Sequence, residues 1–346
     1  MYSRLRQILA ANNGVVARSE LLDAGLSPSR ITELLTAGSI VAERRGVYVD
    51  GDLWASLDPY VGRPRLRIRA AVKTLNRGWV LSHDSAALET SMPLLDPTTS
   101  RVHITRPGYG SAWTRAGVSH HYAWFDQRHL VIGEDGLRRL DIARTAVDLA
   151  REHGELAGLI ACDWALRNGV PRTALMEAYL PMAYWPGVRT VRATVERADG
   201  RAESPAETLG RDLVEELGIG PVDVQFPVLL DDGRVVWCDL RVGNHVFEVH
   251  GRMKYVPAAA GGLAERPVSE VVWEEKKRSR MVRAQGLGVS EILYGDFWGA
   301  ERSAALKRLR AEYEVTHTRF GAELAPRLAA QAARLRDRLG WRDRAS

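Results

Sequence analysis

The sequence predicts an α+β protein of several domains. Three observations predict it. The chain has 346 residues, enough for two or three hydrophobic cores. Short stretches of helical spacing alternate with short runs of strand-like alternation. The plan changes twice, after a basic hairpin near residue 50 and again near residue 201.

Composition narrows the class. The apolar fraction is 45% and the charged fraction 26%, as in soluble globular proteins. No run of about 18 apolar residues occurs, so no transmembrane helix is expected. The opening "MYSRLRQILAANNG" lacks the apolar core of a secretory signal. Cys162 and Cys238 lie far apart, which argues against a disulfide framework and a cysteine-ligated zinc site. A cytoplasmic location is therefore expected. The net charge of +5 is compatible with nucleic acid, and the placement of the arginines decides what it means.

Residues 1–55 read as one module. "YSRLRQILAANNG" carries Leu5, Ile8 and Leu9 at helical spacing and stops at Asn13-Gly14. "ARSELLDAGLS" gives a second short helix with Ser19 as its expected N-cap and Gly25 as its end. A third helix has Ser27 as cap, Pro28 at its first position and Gly38 at its close. Two short strands then flank Arg44-Arg45-Gly46. Three short helices and a basic hairpin form the pattern of a winged helix-turn-helix. Ser29, Arg30 and Thr32, at the N-terminal end of the third helix, are placed to reach base edges in a major groove. Arg44 and Arg45 in the wing are placed to meet phosphates or a minor groove.

Residues 56–198 read as α+β. "RLRIRAAVKTL" is an amphipathic helix, another helix begins after His83, and "RVHITRP" and "VSHHYAWF" alternate as strands. His83 and Asp84 read as structural, His83 capping or hydrogen-bonding beside Ser82 and Ser85, and so does the pair His120-His121, because adjacent strand residues point to opposite faces and cannot readily share one ion. Arg144 is expected to pair with Asp141 or Asp148 at helical spacing.

Residues 199–300 follow another plan. "ESPAETLGRDLVEELGI" is a helix with Ser204 as cap and Glu207 at the capping-box position. "VDVQFPVLL", "VVWCDLRV" and "HVFEVHG" are strands, the last two joined at Gly243-Asn244. A basic helix and one more strand follow. Helix, three-strand meander, helix, strand is the core order of the PD-(D/E)XK nuclease fold. Asp239 and Glu248 on neighbouring strands are candidate magnesium ligands, with Glu207 as a third carboxylate. Lys276, or alternatively Lys254, is the candidate cation. His250 shares a strand face with Glu248 and is a candidate ligand, base or phosphate contact. Lys254, Lys277 and Arg278 are further candidate DNA contacts. Residues 301–346 are expected as a basic helical tail.

Two family resemblances add to this reading. "GVVARSELLDAGLSPSRITELLTAGSIVAERRGVYV", "GWVLSHDSAALETSMPLL", "RVHITRPG", "RAGVSHHYAWF" and "DIARTAVDLAREHGELAGLIACDWALRNG" resemble AbiEi-type antitoxins, winged-helix regulators common in actinobacteria. "SPAET", "WCDLRV", "FEVHGRMKY" and "WEEKKRSRMVRAQGLGVSEILY" resemble very-short-patch-repair-like endonucleases of the PD-(D/E)XK type. By that second match Glu207, Asp239, Glu248 and Lys276 fall on the acidic and basic motif positions. His250 stands where the superfamily places a lysine. The resemblances imply a DNA-binding regulator that recognises double-stranded operator DNA, with a cognate toxin as a possible partner. The rival expectations are a magnesium-dependent endonuclease in phage defence or repair, and a protein that neutralises a toxin by contact.

Overall fold

A computed structural model describes residues 2–76, 78–96, 101–250 and 268–339. It is mixed α/β, with three sheets among these residues. The chain divides into two compact units. One runs to Ala161 and adds Leu175–Arg192; the other takes Cys162–Ala174 and everything from Ala193. The N-terminal segment and most of the middle segment fall in the first unit, and the tail falls in the second.

The first unit opens with helix α1 (Tyr2–Ala11), strand β1 (Val15–Ala17), α2 (Arg18–Asp23), α3 (Pro28–Thr36), β2 (Ile40–Arg44) and β3 (Val47–Asp50). Leu5, Leu9, Val16, Leu21, Ile31, Leu34, Ile40 and Tyr48 bury one face of each element in a common core. Ser27 caps α3, accepting from the Arg30 backbone N–H at 3.2 Å. Two local expectations need correction. Strand β1 was not foreseen, and it pairs antiparallel with β3 to give the sheet order β1-β3-β2. Ala17, not Ser19, occupies the N-cap of α2, because the Glu20 carboxylate accepts from the Ala17 N–H at 2.7 Å and starts the helix earlier.

After α4 (Gly51–Ser56) and α5 (Gly62–Val72), the chain builds a six-stranded sheet from β4 (Val80–Leu81), β5 (Val102–Arg106), β6 (Trp113–Arg115), β7 (Val118–Tyr122), β8 (Leu130–Ile132) and β9 (Arg138–Leu140). Its order is β6-β7-β5-β4-β9-β8, with β5 and β7 parallel. Helix α6 (His83–Glu89) follows β4, and α7 (Ile142–His153) follows β9. Ile68, Leu81, Leu88, Val102, Ile104 and Val118 fill the core between them. Helices α8 (Glu155–Arg167), α9 (Arg172–Tyr179) and α10 (Val188–Arg197) contain the points where the division into units falls.

The second unit holds α11 (Pro205–Glu216), β10 (Asp223–Leu229), β11 (Val235–Val242), β12 (His245–His250), α12 (Val268–Ala284), β13 (Gly288–Leu293), α13 (Gly299–Phe320) and α14 (Pro326–Leu339). Strand order is β10-β11-β12-β13; the first two pairings are antiparallel and the last is parallel. Gly243-Asn244 forms the β11–β12 turn, with Gly243 at φ 55°. The Asn244 side chain donates to the Phe320 carbonyl at 3.1 Å and accepts from the Ala325 N–H at 3.1 Å. Leu328 and Ala332 of α14 join Phe226, Val228, Cys238 and Val246 in one core. Helix α14 therefore packs into this core.

His245 sits in this unit between two hydroxyls, with Nδ1 2.7 Å from Thr316 Oγ1 and Nε2 2.8 Å from Ser290 Oγ. Burial first, and Arg283 second, lower its pKa from 6.5 to about 4. The unfolded chain then binds more protons than the folded one between those values, so stability falls as pH drops from 6.5 towards 4. The expected loss is about 3 kcal/mol. Urea unfolding across that interval checks it, and His245→Gln is expected to flatten the dependence.

Candidate functional site

Two regions carry the residues singled out in the sequence. In the first unit, Ile31 and Leu34 anchor α3, which leaves Ser29, Thr32, Glu33 and Thr36 exposed on the opposite face. The Ser29 hydroxyl lies 2.9 Å from Ser27 Oγ, and the Thr32 hydroxyl donates to the Pro28 carbonyl at 3.1 Å. Arg30, half-buried, pairs with Glu33 one turn on. At the β2–β3 turn, Arg45 is exposed and Gly46 takes φ 74°, a left-handed value that glycine adopts freely. Arg44 is half-buried, and its Nη2 donates to the Ala116 carbonyl at 3.1 Å. The turn thus offers one exposed arginine and one already holding a protein acceptor.

In the second unit, Gly210 lets α11 lie close to the sheet; a Cβ there would meet Val249 Cγ2 at 2.6 Å. Glu207, three residues earlier on the same helix face, accepts from the Glu203 N–H, the Ser204 hydroxyl and the Gln225 amide at 2.8, 2.9 and 2.8 Å. Burial and the neighbouring Asp239 charge raise its pKa to about 7. Asp239 Oδ2 in turn accepts from the Val249 N–H at 2.7 Å. Gln225 was not singled out in the sequence. It holds φ 55°, uncommon for a non-glycine residue, and lies between the paired residues Val224 and Phe226.

Glu248 and His250 line a cleft with Glu275, Arg278, Ser279, Val289 and Glu291. His250 Nδ1 is 3.8 Å from Glu275 Oε1, and Arg278 Nη2 is 3.4 Å from Glu248 Oε1. Lys276 and Lys277 are exposed and do not line this cleft; Lys277 lies over the Trp273 ring. Among the described residues, Arg278 is a cation beside Glu248. Lys254 lies outside the described residues. Among the described residues, the only metal-type group with ligand atoms all within 4.8 Å of one another does not include Glu207, Asp239 or Glu248.

That group is His83, His103 and His121. The opposite facing of His120 and His121 holds: His120 stacks on Trp113 at 3.7 Å, whereas His121 stacks on His83 at 3.9 Å. His103 completes the group from another strand, and no local spacing signals it. Arg144 pairs with Asp148 at 3.0 Å, while Asp141 caps the same helix.

No protein-family model matches the chain, and no curated protein is similar to it. Among solved structures it is similar to the crystal structure of the RV2827C protein from Mycobacterium tuberculosis, with a TM-score of 0.39 and 18% identity. The match covers 60% of this chain and 79% of that one.

Proposed function

We propose that the protein is a DNA-binding transcriptional regulator of AbiEi type, and that it contacts its operator through the first three helices and the β2–β3 turn. The supporting observation is α3. Its apolar residues are sunk in the core and its N-terminal hydroxyls, with Arg30, face outward, as a helix entering a major groove requires. The sheet order β1-β3-β2 and the exposed Arg45 support a wing beside it. Selection from random duplex DNA with the full chain is expected to enrich one sequence. Arg30→Ala should then weaken binding to it by about ten- to a hundredfold. Arg45→Ala should weaken all sequences alike and reduce the salt slope by about one. A pool that shows no enrichment would overturn the reading. A toxin partner rests on the resemblance alone.

For the second unit we propose a PD-(D/E)XK-like fold that adds DNA contact rather than cleavage. The strand order and the helix between β12 and β13 support the fold. Arg278, whose Nη2 lies 3.4 Å from Glu248 Oε1, supports contact without cleavage. Supercoiled plasmid with magnesium or manganese should stay intact. Cleavage by the wild type that Glu248→Ala abolishes would make it an endonuclease.

A further inference from the structure

We propose that His83, His103 and His121 form a binding site for a divalent transition-metal ion of the zinc class. The three imidazoles come from three elements of the first unit: the start of α6, β5 and β7. All are buried, and one nitrogen of each lies within 4.8 Å of the other two. Three imidazoles suit zinc, cobalt, nickel or copper, whereas magnesium and calcium favour oxygen ligands. His103 Nδ1 and His121 Nε2 face each other at 3.1 Å. Without an ion, one must carry the proton that the other accepts. An ion takes a lone pair from each ring, and the shared proton moves to the other nitrogen of its own ring.

The surroundings match such a centre. A metal-bound histidine commonly turns its second nitrogen to a carboxylate, which fixes the ring and raises its basicity. His103 Nε2 lies 3.6 Å from Asp84 Oδ2, and that oxygen is held by His153 Nε2 at 2.8 Å. His83 holds φ 48°, a left-handed value that costs a non-glycine residue free energy and that gathers at functional positions.

The charged and titratable groups that face the cluster are Asp84, Asp148 and Glu152, with Arg144, Arg151 and His153. Arg151 Nη2 lies 3.4 Å from His83 Nε2 and 3.8 Å from Asp148 Oδ1. Asp148 Oδ1 and Arg151 Nε are buried without a hydrogen-bond partner. Buried orphan atoms of this kind call for a missing partner or a shift. Entry of a cation moves Arg151 from His83 onto Asp148 and satisfies the pair. Zinc–nitrogen bonds of about 2.0–2.1 Å in a tetrahedron set ligand nitrogens about 3.4 Å apart. No pair of ligand atoms within 4.8 Å needs to close by more than about 1.4 Å to reach it. Three protein ligands leave a fourth position for water or a small anion.

The test uses the untagged full chain, stripped of metal and folded by circular dichroism. Titration with Zn²⁺ by calorimetry, and with Co²⁺ by visible absorption, should give one equivalent and a tetrahedral cobalt spectrum; Mg²⁺ should give neither. His103→Gln should abolish the spectrum, and Asp84→Asn should weaken binding about ten- to a hundredfold. His120→Gln and His245→Gln should leave binding unchanged. Folded wild-type protein that yields no heat with Zn²⁺ and no cobalt band overturns the proposal, as does binding that survives in a folded His103→Gln variant.

Discussion

Asp163→Ala is expected to destabilise the second unit by about 3–5 kcal/mol, the cost of removing one partner from a buried ion pair. Asp163 and Arg211 are 2% and 3% exposed at the side chain and meet at 2.9 Å. Asp163 also accepts from the Asp199 N–H at 2.6 Å and the Thr208 hydroxyl at 2.8 Å. Burial pushes its pKa up, to about 6, against Arg211 and these donors, while the same pair raises Arg211. We take both groups as charged at neutral pH, because the carboxylate has donors on both oxygens. Without it, Arg211 is a buried cation that retains only the partly exposed Glu215 and the Arg197 carbonyl. Urea unfolding of the full chain reads the loss. Asp163→Leu with Arg211→Met, which removes both charges, should recover much of it. A loss below about 1 kcal/mol would place the pair in water.

Gly51→Ala is expected to destabilise the first unit by about 1–3 kcal/mol and to reduce DNA binding with it. A Cβ at Gly51 would lie 1.9 Å from the Gly38 carbonyl oxygen, and that atom is backbone and cannot rotate away. Gly38 follows the C-cap of α3, Ala37, at φ 69°, and Gly51 N–H donates to the Ser39 carbonyl at 3.1 Å. Relief of the clash must therefore shift the end of α3 or the start of β2. Thermal melting checks the stability, and a fixed-salt binding assay on the selected sequence checks the coupling. Gly25→Ala, where a Cβ would meet nothing within 4 Å, isolates the cost of a positive φ.

Much of the first fifty residues was legible because its signals are local. Ser27 and Pro28 start a helix and Gly38 ends it, whatever surrounds them. Strand β1 was not legible, since three residues carry no period and Val15–Ala17 is a strand only through β3. The β11–β12 hairpin announced itself at Gly243-Asn244. The place of the tail did not, because an alanine–leucine stripe reads equally as a core helix or a partner helix. Helical phase explains Lys276. Two residues along a helix turn about 200°, so the choice between Lys276 and Arg278 is made by which face packs, and Arg278 faces the cleft. The histidine cluster needed β5 and β7 to pair side by side in parallel although β6 separates them in sequence, a non-local pairing that no spacing reveals.

The joining of α14 to β10 bears on how the second unit forms in time. The Leu229 N–H donates to Gln331 across 102 positions, and Phe226 and Val228 share a core with Leu328 and Ala332. Part of one face of the sheet thus stays uncovered until a segment made much later arrives. Contacts of such long separation slow folding, and an open sheet face invites association with other chains meanwhile. During synthesis this unit must wait in a partly folded state, which makes its yield sensitive to crowding of nascent chains and to chaperone supply.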